Sequence, residues 1–315
     1  MADGLLDRKL LFVTGKGGVG KTTIAAGLAL LAAQEGRRVL LCESDAKGSV
    51  AQAFETSPTG FEAREVSPGL WAMTMSTEES LKEYLRLQLR LPLVTRMGPL
   101  ARTLDFVANA APGVKEILVV GKLCWEVRSE VWDLVVVDAP ASGHIVGQLG
   151  APAAMRQLVN VGTVRGQTEW MLEILGDPAR TGVVVVATPE EMPVNETLEL
   201  AGRLRDETDV DLAAVVVNRV LPELFGRGEE EVFRRLREPG HATRLEALAG
   251  GPVQPMLDGA DLAVRLRRTR AGHLAHLREG LGAVEMLYIP ELFQRSDGVR
   301  ATRQIAAALG AELGF

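Results

Sequence analysis

Five stretches of this chain carry short apolar runs without polar alternation: Leu10 to Val13, Arg38 to Cys42, Asp133 to Asp138, Gly182 to Ala187 and Leu212 to Asn218. Unbroken runs rich in Val and Leu predict strands buried on both faces, as in a parallel sheet covered by helices. Longer segments of helical character separate them, beginning with the Ala/Leu-rich stretch from Thr22 to Gln34. The alternation predicts an α/β fold, a mostly parallel, doubly wound sheet flanked by helices. In such sheets ligand loops gather at the carboxyl ends of the strands.

Residues 69–132 read as a mostly helical insertion, with a Leu-rich part from Leu81 to Leu93 followed by Met97, Leu100, Leu104, Phe106 and Val107. Apolar positions at helical spacing predict a core or dimer face; the alternative is a hydrophobic surface for a client. A second helical segment spans about 226–282. Within it Arg267, Arg268, Arg270, His273 and His276 read as a solvated helix face rather than a basic patch. Ala301 to Phe315 holds few charges and reads as a helix docked on the core. No internal repeat or linker divides the chain, so 1–315 is expected to form a single domain, with Gly250-Gly251-Pro252 its clearest loop.

The 315 residues are 47% hydrophobic and 24% charged, ample for a large core and unlike a disordered chain. A net charge of −6 argues against broad binding to nucleic acid or anionic membrane. Two cysteines, Cys42 in an apolar run and Cys124 in a helical pattern, suit buried thiols in a reducing compartment and lack zinc-ligand spacing. The beginning MADGLLDRKLL has no secretory core, and no apolar run approaches the ~20 residues that span a bilayer. A soluble cytoplasmic protein without direct membrane insertion is expected.

The chemistry begins where the first apolar run ends. Gly15-Lys16-Gly17-Gly18-Val19-Gly20-Lys21-Thr22-Thr23 stands between a predicted strand and a predicted helix, the context as well as the spelling of a nucleotide-binding P-loop. Its glycines permit backbone angles that turn successive N–H groups toward one point, and the helix dipole adds to the attraction for phosphate. Lys21 is expected to reach the β- and γ-phosphates of ATP, and the Thr22 hydroxyl to bind Mg²⁺. Lys16 reads blandly as a solvated loop lysine. Its setting, however, resembles the deviant Walker A group, and that resemblance implies that Lys16 reaches across a dimer to the partner's nucleotide, where it would act as an arginine finger does.

Two further strand ends carry carboxylates. After Cys42 comes Glu43-Ser44-Asp45-Ala46-Lys47-Gly48-Ser49; Asp45 is positioned to orient or deprotonate the attacking water, with a role as cap of the next helix the alternative, and Glu43 is less well placed. The run ending at Asp138 reads as a Walker B strand whose carboxylate holds the Mg²⁺ shell, since a hard cation prefers oxygen ligands. Gly143, in the loop that follows, could present its N–H to the γ-phosphate, and a loop held that way is released on hydrolysis. His144 lacks companions for a metal site and reads as a packing or relay residue.

With GKGGVGKTT, ESDAKGS, DAPASGH, ATPEEMPVNET, VVVNRVLPE and YIPELFQRSDGVRAT in order, nearly the whole chain resembles the ArsA-like ATPases, the family of arsenite-pump and guided-entry tail-anchored-protein ATPases. It is most similar to the actinobacterial-type branch. The resemblance implies a P-loop NTPase fold, Mg²⁺-dependent ATP hydrolysis and a nucleotide-gated dimer with a second subunit, identical or paralogous. It also implies a membrane transporter or client protein as partner; on the net charge no nucleic acid is expected. It further implies that Asn218 bonds the adenine ring, that Pro290 lies beside that ring, and that Glu190 approaches the nucleotide or the dimer interface. Asn218 also reads as a strand-end turn former. The chain departs from the family in Asp45-Ala46-Lys47-Gly48 and Asp138-Ala139-Pro140-Ala141-Ser142, and its two cysteines match neither a metalloid site nor a shared zinc clip. A ParA/MinD-type positioning ATPase, an ATP-binding scaffold with negligible turnover and a nitrogenase-reductase-like electron carrier are the competing functions.

Overall fold

The computed structural model describes residues 4–45, 47–89, 113–158, 163–226, 228–292 and 298–315. The later positions of the Leu-rich insertion, Met97, Leu100, Leu104, Phe106 and Val107, lie outside these residues, as does Ala46.

Among the described residues eight strands form one sheet: β1 (Leu10–Gly15), β2 (Val39–Glu43), β3 (Arg64–Ser67), β4 (Leu70–Thr74), β5 (Leu134–Asp138), β6 (Thr181–Ala187), β7 (Leu212–Val220) and β8 (Glu285–Pro290). Their spatial order is β3-β4-β2-β5-β1-β6-β7-β8, and every neighbouring pair is parallel except β3 with β4. All residues of β1, β2, β5 and β6 are buried, as the unbroken apolar runs predict for strands with helices on both faces. The strands β3, β4 and β8 go beyond that reading. β4 occupies the start of the 69–132 segment, so that stretch opens with a sheet strand, not a helix.

One face of the sheet is covered by helices α1 (Lys21–Gln34), α2 (Ser49–Ala53) and, at the end of the chain, the helix Gly298–Leu313. Gly27 allows that last helix to lie close on α1: a Cβ there would stand 2.6 Å from Ile305 Cγ2. Ile305, Ala306 and Leu309 are buried in the same core as Ile24 and Leu28. The expectation of a docked terminal helix is met.

In chain order the other helices are α3 (Thr77–Leu89), α4 (Val114–Arg128), α5 (Ser142–Leu158), α6 (Thr163–Leu175), α7 (Glu191–Glu207), α8 (Glu229–Leu236), α9 (Pro239–Ala249) and α10 (Gln254–Leu281), the terminal one being α11. Helices α4 to α7 and the end of α10 bury Val120, Leu123, Leu149, Leu200, Leu204, Leu277 and Leu281 on the opposite face. Helices α8 to α10 add a small core of their own around Phe233, Ala242, Val253 and Leu257. Both cysteines are buried and free, and among the described residues no helix is long and apolar enough to cross a membrane.

Candidate functional site

The chain switches from β1 to α1 through the phosphate loop, and three glycines make the turn possible. Gly15, Gly18 and Gly20 have φ of 142°, 86° and 97°, angles a side chain resists. At Gly15 space is also closed, because a Cβ would lie 2.2 Å from the Val186 carbonyl oxygen of neighbouring β6. No side chain caps α1. Its first N–H groups are therefore left without a side-chain partner, the condition under which a helix start binds an anion.

Lys21 stands at the start of α1, half-buried, and its ammonium donates to the Lys16 carbonyl at 3.1 Å. Burial pulls its pKa below the ordinary lysine range, with the nearby Lys47 charge adding to the fall and Asp138 and Asp45 opposing it. Thr22 and Thr23 follow on the same turn, and the Thr22 hydroxyl donates to Asp138 Oδ2 at 2.6 Å. Asp138 ends β5 and is only 8% exposed. Burial pushes its carboxyl up to about 6, against the Thr22 hydrogen bond and the Lys21 charge, while the Glu43 and Asp45 charges push the same way as burial. A buried carboxylate short of positive charge, beside a hydroxyl oxygen, fits a hard divalent cation. Among the described residues no three His, Cys, Asp or Glu side chains cluster to hold a metal by themselves. Mg²⁺ needs no such cage, since one or two protein oxygens with phosphate and water complete its shell. Thr22 and Asp138 could hold it.

Around this pair the strand ends are tied together. Ser44 N–H donates to the Asp138 carbonyl at 3.1 Å, Ala139 N–H to Val13 at 3.0 Å, and the Thr14 hydroxyl to Pro140 at 2.7 Å. Asp45 is exposed, with Lys47 Nζ 3.1 Å from its Oδ2, and its charge acts on both Lys21 and Asp138. The alternative role of Asp45, capping the next helix, falls instead to Glu43. That carboxylate is buried and accepts the Ser49 N–H at the start of α2 at 2.7 Å. The sequence signal was present: Glu43 continues an apolar strand run, a position where a carboxylate must be buried and therefore bonded.

Gly143 is the second residue of α5, exposed, so its N–H is one of the unpaired donors of that helix start. His144 beside it is also exposed, which removes its packing role.

Asn218 brings the far end of the site to the phosphate loop. It is buried at the end of β7; its amide donates to the Val19 carbonyl at 2.8 Å, and its Oδ1 accepts the Arg219 N–H at 2.9 Å. The turn-forming alternative is thus realised alongside a contact to the loop. Pro290 ends β8 opposite Val220, exposed on the same edge. Glu190 precedes α7, exposed, with Arg270 Nη2 3.6 Å from its Oε1. Lys16 does not point into open solvent: its ammonium pairs with Glu196 of α7 at 2.5 Å. Sequence reasoning passed over Glu196 and read Arg270 as solvated helix face, since the partners of both lie far away along the chain.

The arrangement is a phosphate cradle with a cation-ready hydroxyl–carboxylate pair, a second carboxylate at the rim and a carboxamide at the far edge. The model of the anion-transporting ATPase family matches residues 8–171 and 160–238. The chain is 31% identical over 310 residues to the ATPase BagA of Mycobacterium tuberculosis, covering 92% of this chain and 88% of that protein. It is 26% identical over 275 residues to the ATPase get3 of Schizosaccharomyces japonicus, covering 76% and 83%. To the arsenical pump-driving ATPase of Acidiphilium multivorum it is 28% identical over 250 residues, covering 68% of this chain and 40% of that protein.

Proposed function

This chain belongs to the anion-transporting ATPase family, and from that premise we propose that it hydrolyses ATP with Mg²⁺ at a site completed by a second subunit, so that nucleotide state drives a partner. ATP hydrolysis itself follows from the family and its relatives. The Mg²⁺, the dimer and the partner are the proposal. The observation that carries it is the 2.6 Å hydrogen bond from Thr22 to Asp138, which gathers a hydroxyl and a buried carboxylate directly under the phosphate loop.

The N–H groups from Gly15 to Thr23 and the Lys21 ammonium bind the phosphates, and Thr22, Asp138 and Asp45 would hold Mg²⁺, which would supply neutralisation of phosphate charge. Asp45 orients the attacking water and accepts its proton. The Gly143 N–H faces the γ-phosphate, so the loop before α5 reports whether that phosphate is present. Asn218 bonds the adenine edge, with Pro290 beside the ring. Glu190, linked through Arg270 to the Arg219 carbonyl beside Asn218, sits at the border of the nucleotide.

Lys16 acts on the other subunit's nucleotide, placing its charge where negative charge develops on the transferred phosphoryl group. The partner driven by this cycle is a membrane transporter or a client protein, and the protein works in the cytoplasm.

The test is complementation in a mixture. Lys16→Ala and Asp45→Asn proteins each lose turnover alone. A dimer of one with the other contains one site with both an intact Asp45 and the partner's Lys16. Random mixing should restore roughly a quarter of wild-type turnover, half the dimers being mixed with half their sites whole. No recovery, with each variant still binding ATP, refutes action across the dimer.

A further inference from the structure

The end of β7 is irregular where Asn218 sits. Its register with β8 slips between Val217 and Val220, and Arg219 adopts a left-handed φ of 60°. For a residue with a side chain that conformation costs about 1 kcal/mol or more, so the surroundings must hold it. Two side chains do. Asn218 Oδ1 accepts the Arg219 N–H, and Arg270 of α10 donates to the Arg219 carbonyl at 3.3 Å. The same guanidinium lies 3.6 Å from Glu190 Oε1 on the neighbouring loop, and its side chain is only 22% exposed. One turn earlier Arg267 donates to the Leu221 carbonyl at 3.4 Å and pairs with Glu223 at 3.4 Å. The expected solvated face of α10 is therefore turned, at these two positions, onto the loop that leaves β7.

We propose that Arg270 is a positioning residue for base recognition: by fixing the Arg219 carbonyl and the Glu190 loop it sets the plane of the Asn218 carboxamide. The proposal rests on the reading that Asn218 meets the base. A carboxamide offers one donor and one acceptor side by side, a pair that matches adenine and mismatches guanine. Its selectivity depends on its orientation, and one hydrogen on Nδ2 is already committed to Val19 and one lone pair on Oδ1 to Arg219. Releasing the turn frees the Oδ1 side of the carboxamide to tilt, while the Nδ2 bond to the Val19 carbonyl still ties the residue to the phosphate loop. Arginine suits the task because its planar fork reaches a carbonyl and a carboxylate at once, whereas lysine has a single ammonium.

The experiment measures ATP, GTP and tripolyphosphate binding, with KM and kcat, for the full chain carrying Arg270→Ala or Arg270→Lys. Arg270→Ala should weaken ATP about fivefold to tenfold and shrink the ATP-over-GTP preference by a similar factor. Tripolyphosphate, which has no base, should bind within about twofold of wild type, and KM should rise more than kcat falls. Arg270→Lys should fall between, and it carries the test if the alanine variant does not fold. An unchanged ATP-to-GTP ratio in either variant overturns the proposal, as does an equal loss of ATP and tripolyphosphate, which would make Arg270 a support of the whole loop. If the wild type itself does not prefer ATP to GTP, the reading of Asn218 fails first and takes this proposal with it.

Discussion

The Lys16 ammonium stands 2.5 Å from the Glu196 carboxylate of its own chain, with both side chains about one-third exposed. A half-exposed pair of this kind contributes about 0–1 kcal/mol, so it holds the lysine without trapping it. In the proposed dimer, Lys16 is withheld from the other subunit while the pair lasts. Glu196→Gln should therefore raise ATP turnover about twofold to threefold at protein concentrations where association is incomplete. Steady-state phosphate release across a protein dilution series checks this. A fall in turnover would place the pair in the active state instead.

Asp138 gives the metal-free protein a pH signature. Its carboxyl ionises near 6 in the fold, against an ordinary 3.8. Between those values the folded chain keeps a proton that the unfolded chain has released, so stability falls as pH rises through this window and levels off above it. At 1.36 kcal/mol per pH unit the loss amounts to about 3 kcal/mol at most. Asp138→Asn should flatten the profile and raise Tm at pH 7 without metal or nucleotide, while impairing Mg²⁺-dependent turnover. Thermal melts in chelator from pH 4.5 to 7.5 would show it; parallel curves for variant and wild type would contradict it.

Gly20 separates backbone need from mere looseness. A Cβ there would lie 2.5 Å from Asn218 Nδ2, at a φ of 97°. Gly20→Ala should cost about 1–3 kcal/mol in stability and weaken ATP more than tenfold, since it strains the turn and pushes the carboxamide away. At Gly17 nothing lies within 4 Å of the corresponding position, and Gly17→Ala should change stability by about 0.5 kcal/mol or less. Denaturant melts of the pair decide between strain and flexibility.

Asp45 is exposed and, among the described residues, its ion pair is with Lys47, so its replacement should leave the fold intact. Asp45→Asn should retain ATP affinity within about threefold and lower kcat by about 100-fold or more, as expected for loss of a general base. Nucleotide-trapped Asp45→Asn protein used as bait should then retain the partner that the wild type releases. Equal recovery with both proteins would deny nucleotide control of that contact.

The strands that were legible in the sequence are those buried on both faces. β1, β2, β5, β6 and β7 announce themselves as unbroken runs because no residue of theirs, or few, meets water. β3 and β8 form the two edges of the sheet, where residues alternate or lie exposed and the run disappears. The phosphate loop and Asp138 were legible because their chemistry is local: a strand end and a glycine pattern. Glu196 and Arg270 were not. Each acts through a partner that only folding brings near, and a carboxylate or guanidinium at helical spacing looks like ordinary solvated surface until that partner is known.

The central position of β1 carries a consequence for how the protein comes into being. Leu10 pairs with Val135 on one side and Thr181 on the other, so the strand that presents the phosphate loop has no sheet neighbour among the strands next to it in sequence. Pairings so distant in sequence close late. On a ribosome the nucleotide-binding segment is made before β5 and β6, yet it waits for both before it has a shape. Until then a nascent chain exposes Leu10 to Val13 and the apolar helix behind them. Acquisition of ATP binding during synthesis thus marks completion of the sheet's centre rather than its beginning.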